Sequence, residues 1–265
     1  VHIHTFEPDK VISYCQQFGE YVTFKMENMS VQHSEITSHQ EEIDFKENAI
    51  VAVSNGDGVT ELFKEMGVDV VVSGGQTMNP STDDFIKAFQ KINANNIIVF
   101  PNNSNIIMAA KQAASNYSKA HVTVIESKSI VECYSALSLY VDDMEINDSI
   151  DSFNDSIENV TTIEVTYSIR DSEIDNFKIT KDDYLGFINH KLIVVEKDRK
   201  KAILRALESI SDLDEKEILT IIYGKDVSES EIAELEELII NQFDWLEVGF
   251  ISGGQEVYSY LISID

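Results

Sequence analysis

Val68-Asp69-Val70-Val71-Val72-Ser73-Gly74-Gly75-Gln76-Thr77-Met78-Asn79-Pro80-Ser81-Thr82-Asp83-Asp84-Phe85 holds a strand, a turn and a helix start in one short run. The β-branched stretch Val68–Val72 reads as a buried strand, because apolar runs of this length bounded by turn residues fit a sheet covered on both faces. Gly74 and Gly75 supply a turn free of Cβ clashes, and Pro80 with Ser81 opens a helix. Strand, glycine turn and helix N-terminus together place a loop at the carboxyl edge of an α/β sheet, where such folds bind ligands.

The same grammar continues on both sides. Apolar strands are expected at Ala49–Val53, Val68–Val72, Ile97–Phe100 and His121–Ile125. Helices are expected between and after them at Asp57–Met66, Thr82–Ile92, Ser104–Tyr117 and Ser129–Tyr140, with Gly67 closing the first. Strands and helices alternating at this spacing imply a parallel sheet covered by helices. An acidic helix follows, with Ile146, Ile150, Phe153 and Ile157 on one face and Asp148, Asp151, Asp155 and Glu158 on the other. It lacks the glycine and terminal glutamate spacing of a calcium loop, so helical periodicity accounts for its acids.

From Thr161 the pattern changes to strands (Thr162–Ile169, Tyr184–Ile188, Leu192–Glu196), a helix (Asp198–Ile210), a strand (Ile218–Tyr223), and a helix capped by the Ser228/Glu231 pattern. Two last strands, Trp245–Ile251 and Val257–Ile264, flank a second Ser-Gly-Gly-Gln at 252–255, read as shared turn chemistry with 73–76 rather than duplication. Residues 1–28 read as strand, helix and strand, too small to stand alone, and 29–47 as a polar linker. The expected fold class is α/β and two-lobed: a βαβ remnant (1–28), a linker (29–47), a parallel-sheet α/β lobe (48–159) and a mixed-sheet α+β lobe (160–265). Because the first residue is Val1, the chain is expected to be part of something longer.

Charge excludes several function classes. Forty-seven acids face twenty bases, a net −27, and after residue 140 thirty acids face eleven bases. Phosphates would be repelled, so an ordinary nucleic-acid surface is excluded, and docking on an anionic membrane is disfavoured. The same field favours encounter with a basic protein partner, although acidity for solubility alone is the blander reading. No run reaches the length of a membrane span, and two isolated cysteines, Cys15 and Cys133, fit free thiols in a reducing cytoplasm.

Candidate chemistry is sparse. His2 and His4 alternate along a strand and so share a face, where two imidazoles can bind a metal or work as acid and base; exposed strand histidines are the commoner outcome. His33, His39, His121 and His190 are scattered and suggest nothing. Thr77, Asn79 and Ser81, with amides at the helix N-terminus, form a loop suited to a small anion. Asp83 and Asp84 already occupy that first turn, and the loop holds no base, so Ser81 as a plain N-cap is preferred. Pro101-Asn102-Asn103-Ser104-Asn105 follows the next strand and contains neither glycine nor base, which rules out a phosphate cradle.

Val-His-Ile-His-Thr (1–5), Phe-Gly-Glu (18–20), Met-Glu-Asn-Met (26–29), Val-Ser-Gly-Gly-Gln-Thr-Met-Asn-Pro-Ser (72–81), Pro-Asn-Asn-Ser-Asn (101–105) and Tyr-Gly-Lys-Asp-Val (223–227) resemble the C-terminal part of the FakA component of bacterial fatty acid kinase, a dihydroxyacetone-kinase-like phosphotransferase family. The resemblance runs over essentially the whole chain. It implies a parent with an amino-terminal domain binding ATP and magnesium, a central domain with a cysteine and a His-x-His pair, and a C-terminal region with two lobes. Those lobes would be like the fatty-acid-binding component, FakB, of the DegV family. The resemblance also implies that His2 and His4 match the catalytic pair. Cys15 falls after that pair and does not match the partner cysteine, so this chain alone is expected to be inactive.

DegV-family lipid binders hold an acyl carboxylate with a Thr-Ser-x-Pro-Ser loop and a second Ser/Gly-rich loop. Here Thr77, Pro80 and Ser81 remain, Met78 replaces the serine, and Asn102–Asn105 replace the second loop, so the resemblance implies a vestigial ligand site. The expected function is a partner-binding domain that docks a basic-surfaced, fatty-acid-binding FakB through acids near the lobe junction: Asp142, Asp143, Glu145, Asp148 and Asp151. The bound fatty acid would then be phosphorylated by ATP. The alternative is a DegV-like domain that itself holds a fatty acid or other small ligand; an autonomous enzyme is the least favoured reading. No metal and no cofactor are expected on this chain, no nucleic acid or membrane insertion, a cytoplasmic location, and a parent that dimerises through the central domain.

Overall fold

The structure, a computed structural model, describes residues 5, 7–19, 44–74, 78–141, 144–174 and 177–265. The chain divides into two compact units, Val1–Ile43 and Asp44–Asp265. In the first, helix α1 (Pro8–Cys15) starts with Pro8, whose missing N–H costs nothing there, and continues as a 3-10 turn over Gln16–Phe18. The expected helix is present; the flanking strands at Val1–Phe6 and Tyr21–Met26 lie, apart from Thr5, outside the described residues.

The second unit opens with β1 (Lys46–Ser54), α2 (Asp57–Glu65), β2 (Val70–Ser73), α3 (Thr82–Phe89), β3 (Ala94–Phe100), α4 (Ile107–Asn116) and β4 (His121–Val124). These four strands form one parallel sheet in the order β2-β1-β3-β4. Their interiors are apolar on both faces, as a covered parallel sheet requires: Ile50, Ala52, Ile98 and Phe100 point one way, and Val51, Val53, Ile97 and Val99 the other. Phe85, Phe89, Ala110 and Ala113 bring α3 and α4 onto the second face. α4 begins at Ile107, later than expected, because Asn103 Oδ1 accepts from the Asn105 N–H and makes a turn first.

Next come α5 (Ile130–Ser138), α6 (Ile146–Asn159), β5 (Thr161–Tyr167), β6 (Ser172–Ile174), β7 (Phe177–Ile179), β8 (Tyr184–Ile188), β9 (Lys191–Glu196), α7 (Arg199–Glu208), β10 (Ile218–Tyr223), α8 (Glu229–Gln242), β11 (Glu247–Ser252) and β12 (Tyr258–Ile264). Six of these strands form a mixed sheet in the order β11-β10-β12-β5-β8-β9, where only β10 and β11 run parallel. β6 and β7 make a separate two-stranded ribbon that the sequence pattern does not show. The architecture is therefore the two-lobed α/β arrangement, one parallel and one mixed sheet.

Its two sheets share a core. Ile50, Val59, Phe63 and Phe100 from the first region cluster with Phe153 of α6 and with Ile222 and Leu261 of the second sheet. Phe153 stands edge-on to Phe100 at 5.2 Å, so the acidic helix is bound into the interior by one face. Asp148, Asp151, Asp155 and Glu158 all face solvent, as the periodicity predicts.

Glycines close the seam. Gly56, at φ +107°, and Gly58 lie in the turn after β1, against the backbone of 252–255. A Cβ on Gly58 would sit 1.9 Å from the Ser252 carbonyl oxygen, and one on Gly56 would sit 2.4 Å from that of Gly253. The Val59 N–H donates to the Gly253 carbonyl at 3.1 Å. The second Ser-Gly-Gly-Gln is thus a backbone-to-backbone joint between the sheets.

Candidate functional site

The carboxyl ends of β1, β2 and β3 and the N-terminus of α5 converge on β5 and β12 of the mixed sheet. The cleft between them is lined by Ser54, Asn55, Asn102, Lys128, Glu164 and Gln255, among others. Water-sized molecules can centre in only about 40 Å³ of it. That is room for two or three waters, far below the several hundred Å³ of a pocket for a drug-sized or acyl ligand.

Both helix N-termini at this edge are closed by acids of the chain itself. Ser81 caps α3: its Oγ accepts from the Asp84 N–H, while the Ser81 N–H and hydroxyl donate to Asp84 Oδ2 at 2.9 and 2.7 Å. These bonds hold the Asp84 carboxyl below its ordinary pKa. At α5, Ser129 Oγ accepts from the Glu132 N–H, and Glu132 Oε2 accepts from the Lys128 N–H at 2.5 Å. An incoming carboxylate or phosphate would meet a negative charge at either helix, where an open N-terminus would attract it.

Asn102 ties strand ends together. Held at φ +58°, it donates Nδ2 to the Val53 carbonyl at 2.8 Å and accepts the Ser127 hydroxyl at 2.7 Å. Cys133 lies fully buried behind it, its thiol pKa pushed up by desolvation, so it is inert as a nucleophile.

A cluster invisible in the sequence sits at the back of this edge. The two-residue turn Asn189-His190 between β8 and β9 has both φ angles positive (46° and 64°), a mirror-image hairpin turn. It presents the His190 ring to two carboxylates, with Nε2 2.7 Å from Glu132 Oε1 and Nδ1 3.3 Å from Glu164 Oε2. Glu132 and Glu164 are 5% and 6% exposed. Bonds to two carboxylates raise the His190 pKa to about 9, hydrogen bonding to Glu132 being the largest cause. Both ring nitrogens therefore donate, and an imidazolium joins α5 to β5 and to the β8–β9 turn. Only Ser129-x-x-Glu132, a capping-box spacing, could point to one member of this set.

The residues singled out from sequence fare unevenly. Ser81 is the N-cap of α3 and Asn79 is exposed, while Thr77 falls outside the described residues. His2, His4, Asp142 and Asp143 also fall outside them. Glu145, Asp148 and Asp151 are exposed at and along α6, and none forms an ion pair among the described residues. No group of three His, Cys, Asp or Glu side chains able to hold a metal occurs among the described residues. No helix among them is long and apolar enough to cross a membrane.

A family model of the FakA-like C-terminal region of fatty acid kinase matches residues 49–265, and one of the FakA-like middle domain matches 1–36. The chain belongs to the FakA-like family of fatty acid kinase. Within the family, it is similar to protein YloV of Bacillus subtilis (strain 168), at 38% identity over 272 residues. That alignment covers all of this chain and 49% of YloV, so the chain spans about half the length of the curated relatives it matches. In fold it is similar to a fatty-acid-binding DegV family protein from Thermus thermophilus (TM-score 0.57, 13% identity, 82% of this chain and 99% of that one). It is also similar to the dihydroxyacetone kinase of C. freundii (TM-score 0.57, 11% identity, 91% and 56%). This chain therefore shares the two-sheet fold of that DegV family protein, and its kinase relationship comes through the family.

Proposed function

We propose that residues 49–265 are a docking module that presents a DegV-fold, fatty-acid-loaded FakB to the kinase of which this chain is part. The outer face of α6 carries the proposal. Glu145, Asp148, Asp151, Asp155 and Glu158 stand exposed and unneutralised among the described residues, on a chain of net charge −27. Asp142 and Asp143 belong to the same proposed surface. A basic partner face would be steered onto it, with charge acting chiefly on association rate. In this reading the fatty acid stays on FakB, and ATP with magnesium binds in the parent's amino-terminal domain. His2 and His4 belong to the central domain's catalytic pair and to its dimer, and this chain by itself turns over no nucleotide. Among the described residues the carboxylates of the Glu132–His190–Glu164 cluster are taken up by the imidazole, and no group of three His, Cys, Asp or Glu side chains could hold a metal ion.

Calorimetric titration of the chain with FakB tests this. Affinity is expected to fall roughly tenfold or more between low and high salt, and again in the double variant Asp148→Lys/Asp151→Lys. Equal affinity at both salt concentrations would refute the electrostatic docking. The rival reading, a domain carrying its own fatty acid, is opposed by the 40 Å³ cleft and the self-closed helix N-termini. Lipid extracted from recombinant chain should accordingly contain no stoichiometric acyl species by mass spectrometry; one fatty acid per chain would restore the carrier reading.

A further inference from the structure

The mixed sheet ends in an open edge. β11 pairs with β10 on one side and is the first strand of the sheet, so among the described residues the backbone groups of its other side have no strand partner. Such edges invite a further strand unless they are covered or charged against it. At its amino end stands Trp245, the one tryptophan of the chain, 47% exposed. The indole is held ready: its N–H donates to the Leu213 carbonyl at 3.4 Å, and its ring stands edge-on to Phe243 at 5.7 Å. Ile218, 48% exposed, lies on β10 in register with Glu247, the first residue of β11. Further along, Gly249 is exposed, with nothing within 4 Å of where a Cβ would be, so another backbone can approach closely.

The surrounding charge selects the occupant. Asp212, Asp214, Glu215, Glu217, Asp244 and Glu247 are all exposed around this spot, and none pairs with a base among the described residues. The one lysine in their midst, Lys216, turns its ammonium to the Asn159 carbonyl at 3.2 Å. An exposed indole framed by carboxylates suits a guanidinium or ammonium, which gains from the ring face and the acids together.

We propose that the open edge of β11, anchored at Trp245, is a docking strand for an extended, arginine- or lysine-bearing segment of a protein partner. The segment adds alongside β11 through its backbone and sets a cationic side chain against the indole. This surface adjoins the C-terminal end of α6 through Lys216 and Asn159, but strand addition at β11 does not require the α6 acids assigned above.

Hydrogen exchange on the full 265-residue chain tests it, using a blocked hexapeptide of alternating arginine and valine and its glutamate–valine counterpart as probes. The arginine peptide is expected to slow exchange at 247–252 and shift Trp245 emission, and the glutamate peptide to do neither. In Glu217→Gln/Glu247→Gln, which removes two exposed charges without touching the core, the concentration giving half protection should rise at least tenfold. Trp245→Ala should do the same, its melting curve confirming that it folds. Protection by both peptides alike, protection spread evenly over α6, or no protection at β11 would overturn the proposal. If β11 is protected but FakB does not bind, the docking reading fails alone; if FakB binds and the arginine peptide does not, the strand site fails alone.

Discussion

Gly58→Ala is expected to destabilise the second unit by about 3 kcal/mol or more, because the added methyl must enter space already held by the Ser252 carbonyl oxygen. Neither partner can yield cheaply. Both are backbone, and the turn is fixed further by the Val59 N–H bond to Gly253 and by the packing of Val59 and Phe63 beneath it. For a unit of this size the loss corresponds to a fall in melting temperature of roughly 6–12 °C. Gly249→Ala is the matched control, since a Cβ there meets nothing, and it should change stability by no more than about 0.5 kcal/mol. Thermal unfolding of the two variants beside the parent chain checks this. Equal melting temperatures for Gly58→Ala and Gly249→Ala would mean that the sheets are not joined at this seam.

Why that joint is not legible in the sequence is a matter of range. β1, β3, β8 and β10 can be read from the chain because their signal is local: an apolar or alternating run bounded by turn residues, with Tyr184–Ile188 and Ile218–Tyr223 matching to the residue. Helix starts at Ser81 and Ser228 are equally local, each set by a hydroxyl that accepts the N–H three residues on; Asp84 completes the box at Ser81, whereas the Glu231 carboxylate turns to Arg199 and Tyr260. The β6–β7 ribbon escapes because Ser172-Glu173-Ile174 and Phe177-Lys178-Ile179 are too short to show a period and too polar to show a core. The Ser-Gly-Gly-Gln at 252–255 reads as an ordinary turn, since its partners, Gly56 and Gly58, lie almost two hundred residues earlier. The closure of the anion site is half visible. Asp84 can be placed in the first turn of α3 from its position alone, whereas Glu132 gains its meaning only when β5 and the β8–β9 turn bring Glu164 and His190 to it.

That meeting predicts a pH dependence opposite to ordinary acid unfolding. His190 titrates near 9 in the folded chain and near 6.5 when unfolded, so the folded state holds its proton more tightly. The bridge therefore contributes its full stability below pH 6.5 and loses it as pH rises from there through 9, by at most on the order of 3 kcal/mol. Urea midpoints for the chain are expected to fall across that window. His190→Ala should be less stable than the parent by about 3 kcal/mol at pH 6.5, because it leaves two nearly buried carboxylates facing each other without the cation between them. Its midpoint should then be flat from pH 6.5 to 9. A variant profile that runs parallel to the parent's over pH 6.5–9 would show that the alkaline loss arises elsewhere. Because Glu132 belongs to this bridge and also blocks the α5 N-terminus, the cation that fastens α5 to the mixed sheet holds in place the charge that turns anions away.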